Sequence, residues 1–511
     1  MVVRVHTAAL IGIDAFDVEL EVDLARSGLP AFTMVGLAEG AVRESKERVF
    51  SALKNCGYRI PPSRITVNFA PADRRKEGSA YDLPLALGLL AASGAIFQEA
   101  LTGFLPAAEL SLAGELKPIT GALSLAVHAR SRKATGMILP VENGPEASVV
   151  KGLNVYPFRS LQDVVAFLVG EVEARPLEND PGRLWHRRNE FPLDFGEVRG
   201  QEHAKRAIEI AAAGGHNILL MGPPGSGKTM LAQRIPTVLP LLDFEEALDV
   251  TKIYSVAGQL EPGQALVVSR PFRSPHHTIS DAGLIGGGHI PRPGEVSLSH
   301  RGVLFLDELP EFRKPVLEVL RQPLEDGRVT ISRAAMSLTY PADFMLVAAM
   351  NPCPCGFLTD DRHPCTCTPQ QIQRYRSRLS GPLLDRIDLH VEVPAVPYKD
   401  LKSEVGGVDS ATMRDQIDRA RKLQSGRYNG LPIKTNADLS GRWLQKFCPL
   451  GRGEHKFLEE AVSRLGLSAR AFTRVLRIAR TIADVEGTEI MDIGHLAEAI
   501  NYRTLDRQER P

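Results

Sequence analysis

The sequence has little of what marks a membrane-bound or secreted protein. No run of apolar residues reaches the roughly 18 that are needed to span a bilayer. The first residues lack the charged and then apolar layout of a signal peptide. Six cysteines among 511 residues do not indicate a disulfide scaffold. These absences predict a cytoplasmic protein with no membrane partner.

The chain also lacks an excess of one charge, an internal repeat and a low-complexity segment. Lys plus Arg number 61, and Asp plus Glu also number 61, so nucleic-acid binding would have to come from local basic patches. Hydrophobic residues make up 43% of the sequence and charged residues 24%, which is ordinary for a globular protein. The length allows three or four domains.

Changes of pattern along the chain predict an α/β protein in several parts. The first part mixes strand and helix patterns. The second has apolar strands that alternate with helices, which is typical of a parallel sheet, and the last shows helical patterns only. We therefore expect an α+β domain at 1–168, a polar, proline-rich linker at 169–195, an α/β core at 196–394 and a helical domain at 395–511.

One motif is more informative than any other part of the chain. Residues 222–229 read G-x-x-x-x-G-K-T, the phosphate-binding loop of nucleotide-hydrolysing enzymes. An apolar run precedes the loop and a helical pattern follows it, so backbone N–H groups and the helix dipole would bind the phosphates of ATP. Lys228 would contact the β- and γ-phosphates, and Thr229 would hold Mg²⁺. The predicted binding residues are Gly222, Pro223, Pro224, Gly225, Ser226, Gly227, Lys228 and Thr229.

A second motif supplies acidic groups for hydrolysis. The apolar segment that starts at Val303 ends in Asp307 and Glu308. We expect Asp307 to coordinate Mg²⁺ and Glu308 to polarise the attacking water. The alternative is that both acids only cap the following helix, but the phosphate loop upstream favours catalysis. Asn351 ends the next apolar strand, where it could orient the water or could be a plain turn residue.

Two arginines are candidates for contact with the γ-phosphate. Arg386 would stabilise transition-state charge if it reached the phosphate across a subunit boundary; the alternative is a surface ion pair with Asp385 or Asp388. Arg470 opens a helical pattern in the last domain and could report the nucleotide state to that domain. From spacing alone, an exposed helix charge is the better interpretation of Arg470.

Two inserts could contact DNA in a pore. The first, residues 270–301, combines glycines with cations that include Arg273 and Arg292, which suits a loop against phosphates. The second, residues 327–340, alternates like a hairpin and contains Arg328 and Arg333. Without other information, an ordinary exposed hairpin is the better interpretation of the second insert.

Four cysteines form a candidate zinc site. Cys353, Cys355, Cys365 and Cys367 give two C-x-C pairs separated by nine residues. Four thiolates so close in sequence could hold a structural Zn²⁺, which would clamp the loop after Asn351. The alternative is four reduced thiols in a surface loop, where they would be prone to oxidation.

Several short segments, spread over nearly the whole chain, form a specific combination. They are 35–38 (VGLA), 75–84 (RKEGSAYDLP), 222–229 (GPPGSGKT), 270–278 (RPFRSPHHT), 306–312 (LDELPEF), 351–356 (NPCPCG) and 381–386 (GPLLDR). With them the chain resembles the magnesium-chelatase-like branch of the AAA+ ATPases and, within that branch, the YifB/ComM family.

The resemblance carries expectations about assembly and function. It implies an AAA+ core with a C-terminal helical lid, a homohexameric ring, ATP hydrolysis between subunits, and branched or single-stranded DNA in the central channel. It also implies DNA branch migration in natural transformation and recombination. By this resemblance Arg386 is the expected arginine finger and Arg470 the expected second sensor, which in this branch acts either on its own nucleotide or on a neighbouring subunit's.

The first domain resembles the Lon-protease-like fold, in which a Ser–Lys pair makes a nucleophile. Alignment to that pattern places Ala80 where the serine would stand and Leu123 where the lysine would stand. Both chemical groups are missing. We therefore expect a structural or DNA-guiding domain without peptidase activity.

Two other functions compete with a DNA motor. One is a metal-insertion motor like magnesium chelatase, although the sequence shows no tetrapyrrole-binding domain. The other is an assembly scaffold that binds ATP without turnover, against which Glu308 and Arg386 argue.

Overall fold

The computed structural model describes residues 2–25, 29–37, 40–76, 78–178, 185, 191–288, 291–332, 337–360, 362–397 and 407–503. Their contacts divide the chain into two compact units. The first is Met1–Arg187 with Phe244–Val268, and the second is Arg188–Asp243 with Ser269–Pro511. None of the helices in these described ranges is long and apolar enough to cross a bilayer.

Strands and helices are numbered here in chain order. The strands are β1 (Val2–Ile11), β2 (Asp14–Ala25), β3 (Ala31–Val35), β4 (Arg64–Ala70), β5 (Phe104–Pro106), β6 (Glu109–Leu110), β7 (Leu116–Lys117), β8 (Gly136–Pro140), β9 (Val155–Phe158), β10 (Ile218–Met221), β11 (Phe272–Arg273), β12 (Gly286–Gly287), β13 (Arg292–Pro293), β14 (Val303–Leu306), β15 (Arg328–Ser332), β16 (Ser337–Pro341), β17 (Met345–Met350) and β18 (Leu389–Glu392). The helices are α1 (Ala41–Asn55), α2 (Asp82–Ser93), α3 (Ala122–Ser131), α4 (Gly144–Ser148), α5 (Leu161–Leu168), α6 (Glu202–Gly214), α7 (Lys228–Val238), α8 (Phe244–Ala257), α9 (Asp281–Ile285), α10 (Glu295–Leu298), α11 (Lys314–Glu318), α12 (Arg321–Asp326), α13 (Pro369–Arg376), α14 (Gly381–Leu384), α15 (Ser410–Arg427), α16 (Gly441–Phe447), α17 (Arg452–Leu465), α18 (Ala469–Val485) and α19 (Ile493–Asn501).

The first unit is built on a four-stranded sheet in the order β1-β2-β4-β3. Strand β2 alternates buried and more exposed residues, as expected for a sheet with one face on the core. The apolar helix α2 belongs to the same core cluster, with Leu83 and Leu87 fully buried. A three-stranded parallel sheet, β5-β8-β9, completes this α+β arrangement.

Residues 244–268 group with the first unit although they follow the phosphate loop in sequence. The Ser255 hydroxyl donates to the carboxylate of Glu146 over 2.5 Å, and Gly121 N–H donates to the Ser255 carbonyl. Burial raises the pKa of Glu146, although hydrogen bonds from Ser255 and Asn143 oppose the shift. Specific polar contacts to buried groups therefore attach α8 to this unit.

The second unit contains a five-stranded parallel sheet in the order β11-β14-β17-β10-β18. Strands β10, β14 and β17 are buried along their whole length, as expected for strands covered on both faces. This confirms the α/β fold predicted from the alternation of strands and helices. Helices α15 to α19 form the C-terminal helical region, and they share one hydrophobic cluster with the sheet.

Strand β14 covers the apolar part of the segment that starts at Val303 and leaves out the two acids. It ends at Leu306, and Glu308 beyond it adopts a left-handed backbone conformation with φ of 52°. Both acidic residues therefore lie in the turn beyond the strand, at the carboxyl edge of the sheet. The hairpin predicted at 327–340 is present as β15 and β16, and Arg333 lies outside the described residues.

Candidate active site at the carboxyl edge of the sheet

The loop between β10 and α7 has a backbone that only glycine accommodates at certain positions. A Cβ atom at Gly222 would lie 2.0 Å from the carbonyl oxygen of Val393. Gly225 and Gly227 have φ values of 75° and 91°, which other residues rarely adopt. The glycines therefore allow the loop to fold tightly and to turn its N–H groups toward an anion.

Lys228, the first residue of α7, lies inside this loop. Its ammonium group donates to the carbonyl oxygens of Gly222 (2.8 Å) and Pro223 (2.9 Å), and it lies 3.3 Å from Oδ1 of Asn351. Burial lowers the pKa of Lys228, although the charges of Asp307 and Glu308 oppose the shift. The structure thus brings Lys228 and Asn351 together where β10 and β17 end.

Thr229 and Asp307 form a pair that fits a magnesium ion. The Thr229 hydroxyl donates to Oδ2 of Asp307 over 2.8 Å, and the other oxygen of Asp307 accepts the N–H of Glu308. A hydroxyl and a carboxylate on neighbouring elements are the protein ligands that Mg²⁺ takes beside nucleotide phosphates. ATP and Mg²⁺, which the sequence implies, therefore fit the residues present.

Glu308 has a neighbour that the sequence analysis did not assign to it. The Nδ1 atom of His277 lies 3.4 Å from Oε2 of Glu308, and the His276 and His277 rings are 4.1 Å apart. The segment carrying both histidines follows β11, which pairs with β14. Loops that follow neighbouring parallel strands meet at one sheet edge, so strand order was the signal that could have placed His277 here.

Arg386 lies at the opposite edge of the same sheet. Asn217, which precedes β10, donates from Nδ2 to the carbonyl of Arg386, and its own carbonyl accepts the N–H groups of Asp388 and Leu389. The Arg386 guanidinium donates to the Pro382 carbonyl at 2.8 Å and is ion-paired with Glu325. Its observed acidic partner is therefore neither of the two aspartates considered from sequence.

Arg470 lies near Arg386, at the edge of the sheet opposite the phosphate loop. It sits in the first turn of α18, where its Nη1 atom is 2.7 Å from Oδ2 of Asp385. Asp385 immediately precedes Arg386, so both arginines are at the amino edge of the sheet. The structure thus forms two groups, with Lys228, Thr229, Asp307, Glu308 and Asn351 in one and Arg386 and Arg470 in the other.

The candidate DNA-binding arginines differ in how free their side chains are. Arg273 makes two hydrogen bonds to Glu295, of 2.6 and 2.7 Å, so its guanidinium is held. Arg292 lies on the short β12–β13 ribbon and Arg328 begins the β15–β16 hairpin, and both are exposed. The two exposed arginines are the more accessible to a phosphate backbone.

The four cysteines after β17 converge on one point. Their sulfur atoms all lie within 4.8 Å of one another, and Cys353, Cys355 and Cys365 are 3.4 to 3.7 Å apart. A tetrahedral zinc site with Zn–S bonds of about 2.3 Å requires sulfurs about 3.8 Å apart. Backbone hydrogen bonds from Phe357 and Thr366 lower the pKa of Cys355 to about 5. In Cys365 and Cys367, by contrast, a backbone hydrogen bond lowers the pKa less than burial and the neighbouring thiols raise it. On the distances between its sulfur atoms, rather than on these pKa shifts, the cluster therefore fits zinc.

Replacing Cys355 and Cys367 with serine should abolish zinc binding. Hydroxyls do not replace thiolates as zinc ligands, so the zinc content measured by atomic emission should fall from about one per chain to near zero. Cys56→Ser, a change outside the cluster, is the control and should retain the metal. Wild-type protein purified without chelators and containing no zinc would instead favour four reduced thiols.

The phosphate loop, the paired acids and the parallel strand order define a P-loop ATPase of the AAA+ class. Comparisons with known proteins refine this class. Residues 194–401 match the family described as "Magnesium chelatase, subunit ChlI", residues 20–143 match "Subunit ChlI of Mg-chelatase", and residues 407–503 match its C-terminal domain.

Similar proteins are found along the full chain. The chain is 45% identical to "Uncharacterized protein YifB" of Salmonella typhimurium and to "Competence protein ComM" of Haemophilus influenzae, over 98% of this chain and 97% of each relative. It is 24% identical to the magnesium-chelatase 38 kDa subunit of Cereibacter sphaeroides, over 62% of this chain and 93% of that protein. The chain belongs to the YifB/ComM family of magnesium-chelatase-like AAA+ proteins.

Proposed function

We propose that this protein is an ATP-driven DNA motor that works as a homohexameric ring and moves DNA branches during recombination and natural transformation. The relative named as a competence protein supports this task, because it matches over nearly the full length of both chains. The cytoplasmic location expected from the sequence belongs to the same proposal. ATP and Mg²⁺ supply the phosphoryl-transfer chemistry.

The observation that supports a ring is the distance between the residues around Lys228 and the residues around Arg386. Lys228 follows β10, whereas Arg386 is bonded to Asn217 before β10. The four residues of β10 extend about 13 Å at roughly 3.3 Å per residue. A guanidinium must touch the γ-phosphate to stabilise its transition state. This separation supports a role for Arg386 at a neighbouring subunit's nucleotide rather than at its own.

Each residue at the carboxyl edge then has a role in one half of a shared site. The loop and Lys228 would bind the phosphates, and Thr229 and Asp307 would hold Mg²⁺. Glu308 would activate water, and Asn351 would help to orient it. The neighbouring subunit would supply Arg386 as the finger and Arg470 as the second sensor.

The exposed arginines of the two ribbons would contact DNA through phosphates. Within the part of the chain that the structure describes, Arg292 and Arg328 have no acidic partner of the kind that holds Arg273. Such contacts do not depend on base sequence, and they weaken as salt displaces them. We propose that these ribbons line the channel, and that zinc at the four cysteines stabilises the loop behind Asn351.

The relatives favour a DNA motor over a metal-insertion motor. The chelatase subunit matches only 62% of this chain, whereas relatives named YifB and ComM match 98%. A scaffold that binds ATP without turnover would have no use for Glu308 and Arg386. The alternatives make different predictions about what stimulates ATP hydrolysis.

The test is ATPase activity with and without branched DNA, together with native mass. The proposal expects a hexamer in saturating ATP and a rate that branched or single-stranded DNA increases. Lys228→Ala, which removes the ammonium from the phosphate loop, measures contaminating activity and should displace no strand. The proposal would be refuted if the protein stayed monomeric under saturating nucleotide, or if its ATPase rate did not change when DNA was added.

A further inference from the structure

The turn that carries Arg386 is held by the helical domain as well as by the sheet. Arg386 lies between Asp385 and Asp388, which connect α14 to β18. Three residues on one face of α18, the second four positions and the third eleven positions after the first, reach this turn or its neighbour His216. They are Arg470, Arg474 and Thr481.

Arg474 spans the two aspartates that flank Arg386. Its Nε atom lies 3.1 Å from Oδ1 of Asp388, and its Nη1 atom lies 3.6 Å from Oδ1 of Asp385. The Arg474 side chain is only 11% exposed. A buried guanidinium is costly unless carboxylates compensate its charge, and here Asp388 does so at close range and Asp385 across 3.6 Å.

The two ends of the turn are held differently. Asp388 is buried, and one of its oxygens receives a hydrogen bond from Nδ1 of His216, whose Nε2 contacts Thr481. Burial would raise the pKa of Asp388, but the bond to His216 and the charges of Arg474 and Arg477 bring it down to about 2. Asp388 therefore stays charged and fixed.

Asp385, at the other end, is partly exposed and contacts the helical domain through arginines. Its two oxygens face Arg470 and Arg474. Without Arg474, Asp388 and the partly exposed Asp385 would lose the guanidinium that contacts both of them. The direction of Arg386 between them would then be less restricted.

We infer that Arg474 is a positioning residue for the arginine finger, because it ties both sides of Arg386 to helix α18. This inference rests on the proposed action of Arg386 on a neighbouring subunit. Since α18 also carries Arg470, the same helix sets the position of both arginines that face the neighbour. A small displacement of a catalytic group can lower a rate by about 10²-fold.

The first test compares Arg474→Gln and Arg474→Lys with the exposed control Arg464→Gln. Both Arg474 variants should form hexamers and bind a fluorescent ADP analogue with a Kd within about twofold of wild type, since the phosphate loop is untouched. Their kcat should fall by about 10- to 100-fold, with KM nearly unchanged. Asp385→Asn, which releases the turn from its exposed side, should lower kcat in the same way if Arg474→Gln fails to fold.

A mixed-ring test separates positioning from damage to the variant's own site. Co-expression of Arg474→Gln with Glu308→Gln chains places some intact centres beside intact fingers, in roughly a quarter of sites for random mixing. Activity should rise above that of either variant alone. The matched control is the same mixture made with Arg386→Ala chains.

The two mixtures also distinguish this inference from the proposed function. Recovery in both supports Arg474 as a positioning residue. Recovery with Arg386→Ala but not with Arg474→Gln would overturn the inference and leave the shared site standing. Failure of both mixtures would overturn the shared site, and the inference with it. An unchanged kcat in all the Arg474 and Asp385 variants would also overturn it.

Discussion

Arg386→Ala should lower kcat for ATP hydrolysis by about 10³-fold or more, because an arginine finger stabilises charge that develops only in the transition state. Nucleotide affinity should change little, since Arg386 is at the sheet edge opposite Lys228. The measurements are steady-state ATPase and binding of a fluorescent ADP analogue. Arg321→Ala, which breaks a surface ion pair with Glu318, is the matched control.

Under the proposed shared site, the Arg386→Ala change should impair hydrolysis at the nucleotide of the neighbouring subunit. A ring of Arg386→Ala chains should retain every phosphate loop but complete none of the shared sites. Loss of nucleotide affinity in the isolated chain would contradict the arrangement, because it would mean that Arg386 serves its own site. A rate within threefold of wild type would remove Arg386 from the mechanism.

The phosphate loop and the acidic turn could be predicted because their geometry is local. In 222–229, glycine spacing alone requires a tight loop, and the apolar run before it is β10. Asp307 could be paired with Thr229 in advance, since a nucleotide-bound metal needs both. The structure places these side chains 2.8 Å apart.

The partners of Arg386 could not be predicted because they depend on strand order and distant chain segments. Spacing suggested neighbouring aspartates, but tertiary packing gives Arg386 the carboxylate of Glu325, 61 residues away. Those aspartates instead bind arginines of α18. Likewise, His277 reaches Glu308 only because β11 lies beside β14.

The grouping of residues 244–268 shows the same limitation at the level of a whole segment. Their position after the phosphate loop suggested an integral part of the core at 196–394. The hydrogen bond from Ser255 to Glu146 joins them to a residue 109 positions earlier in the chain. No local pattern around Ser255 indicates that partner.

Glu308→Gln should lower the rate of hydrolysis by about 10²- to 10⁴-fold, the usual contribution of a general base. The amide has nearly the same shape as the carboxylate but cannot accept a proton. Mg²⁺ and phosphate ligands remain, because Thr229, Asp307 and Lys228 make their contacts without the Glu308 side chain. When both are measured on the same variant, the single-turnover rate of hydrolysis should therefore fall, whereas the affinity for ATP should stay near that of the wild type.

Glu311→Gln provides the matched control for this change. Glu311 lies in the same acidic segment but is paired with Arg378 at 2.8 Å, so its loss should leave hydrolysis within about twofold of wild type. If Glu311→Gln lost activity and Glu308→Gln kept it, the assignment of the base would be wrong.

The same variant decides between a motor and a scaffold. A scaffold needs only bound ATP, so Glu308→Gln would assemble and act like wild type. A motor needs turnover, so the variant should form rings on DNA in ATP yet displace no strand. Strand displacement at the wild-type rate by this variant would show that hydrolysis at Glu308 does not drive movement. The proposed shared site combines Glu308 at one edge of the sheet with Arg386 from the opposite edge of a neighbouring subunit. The same result would show that this site does not drive the movement of DNA.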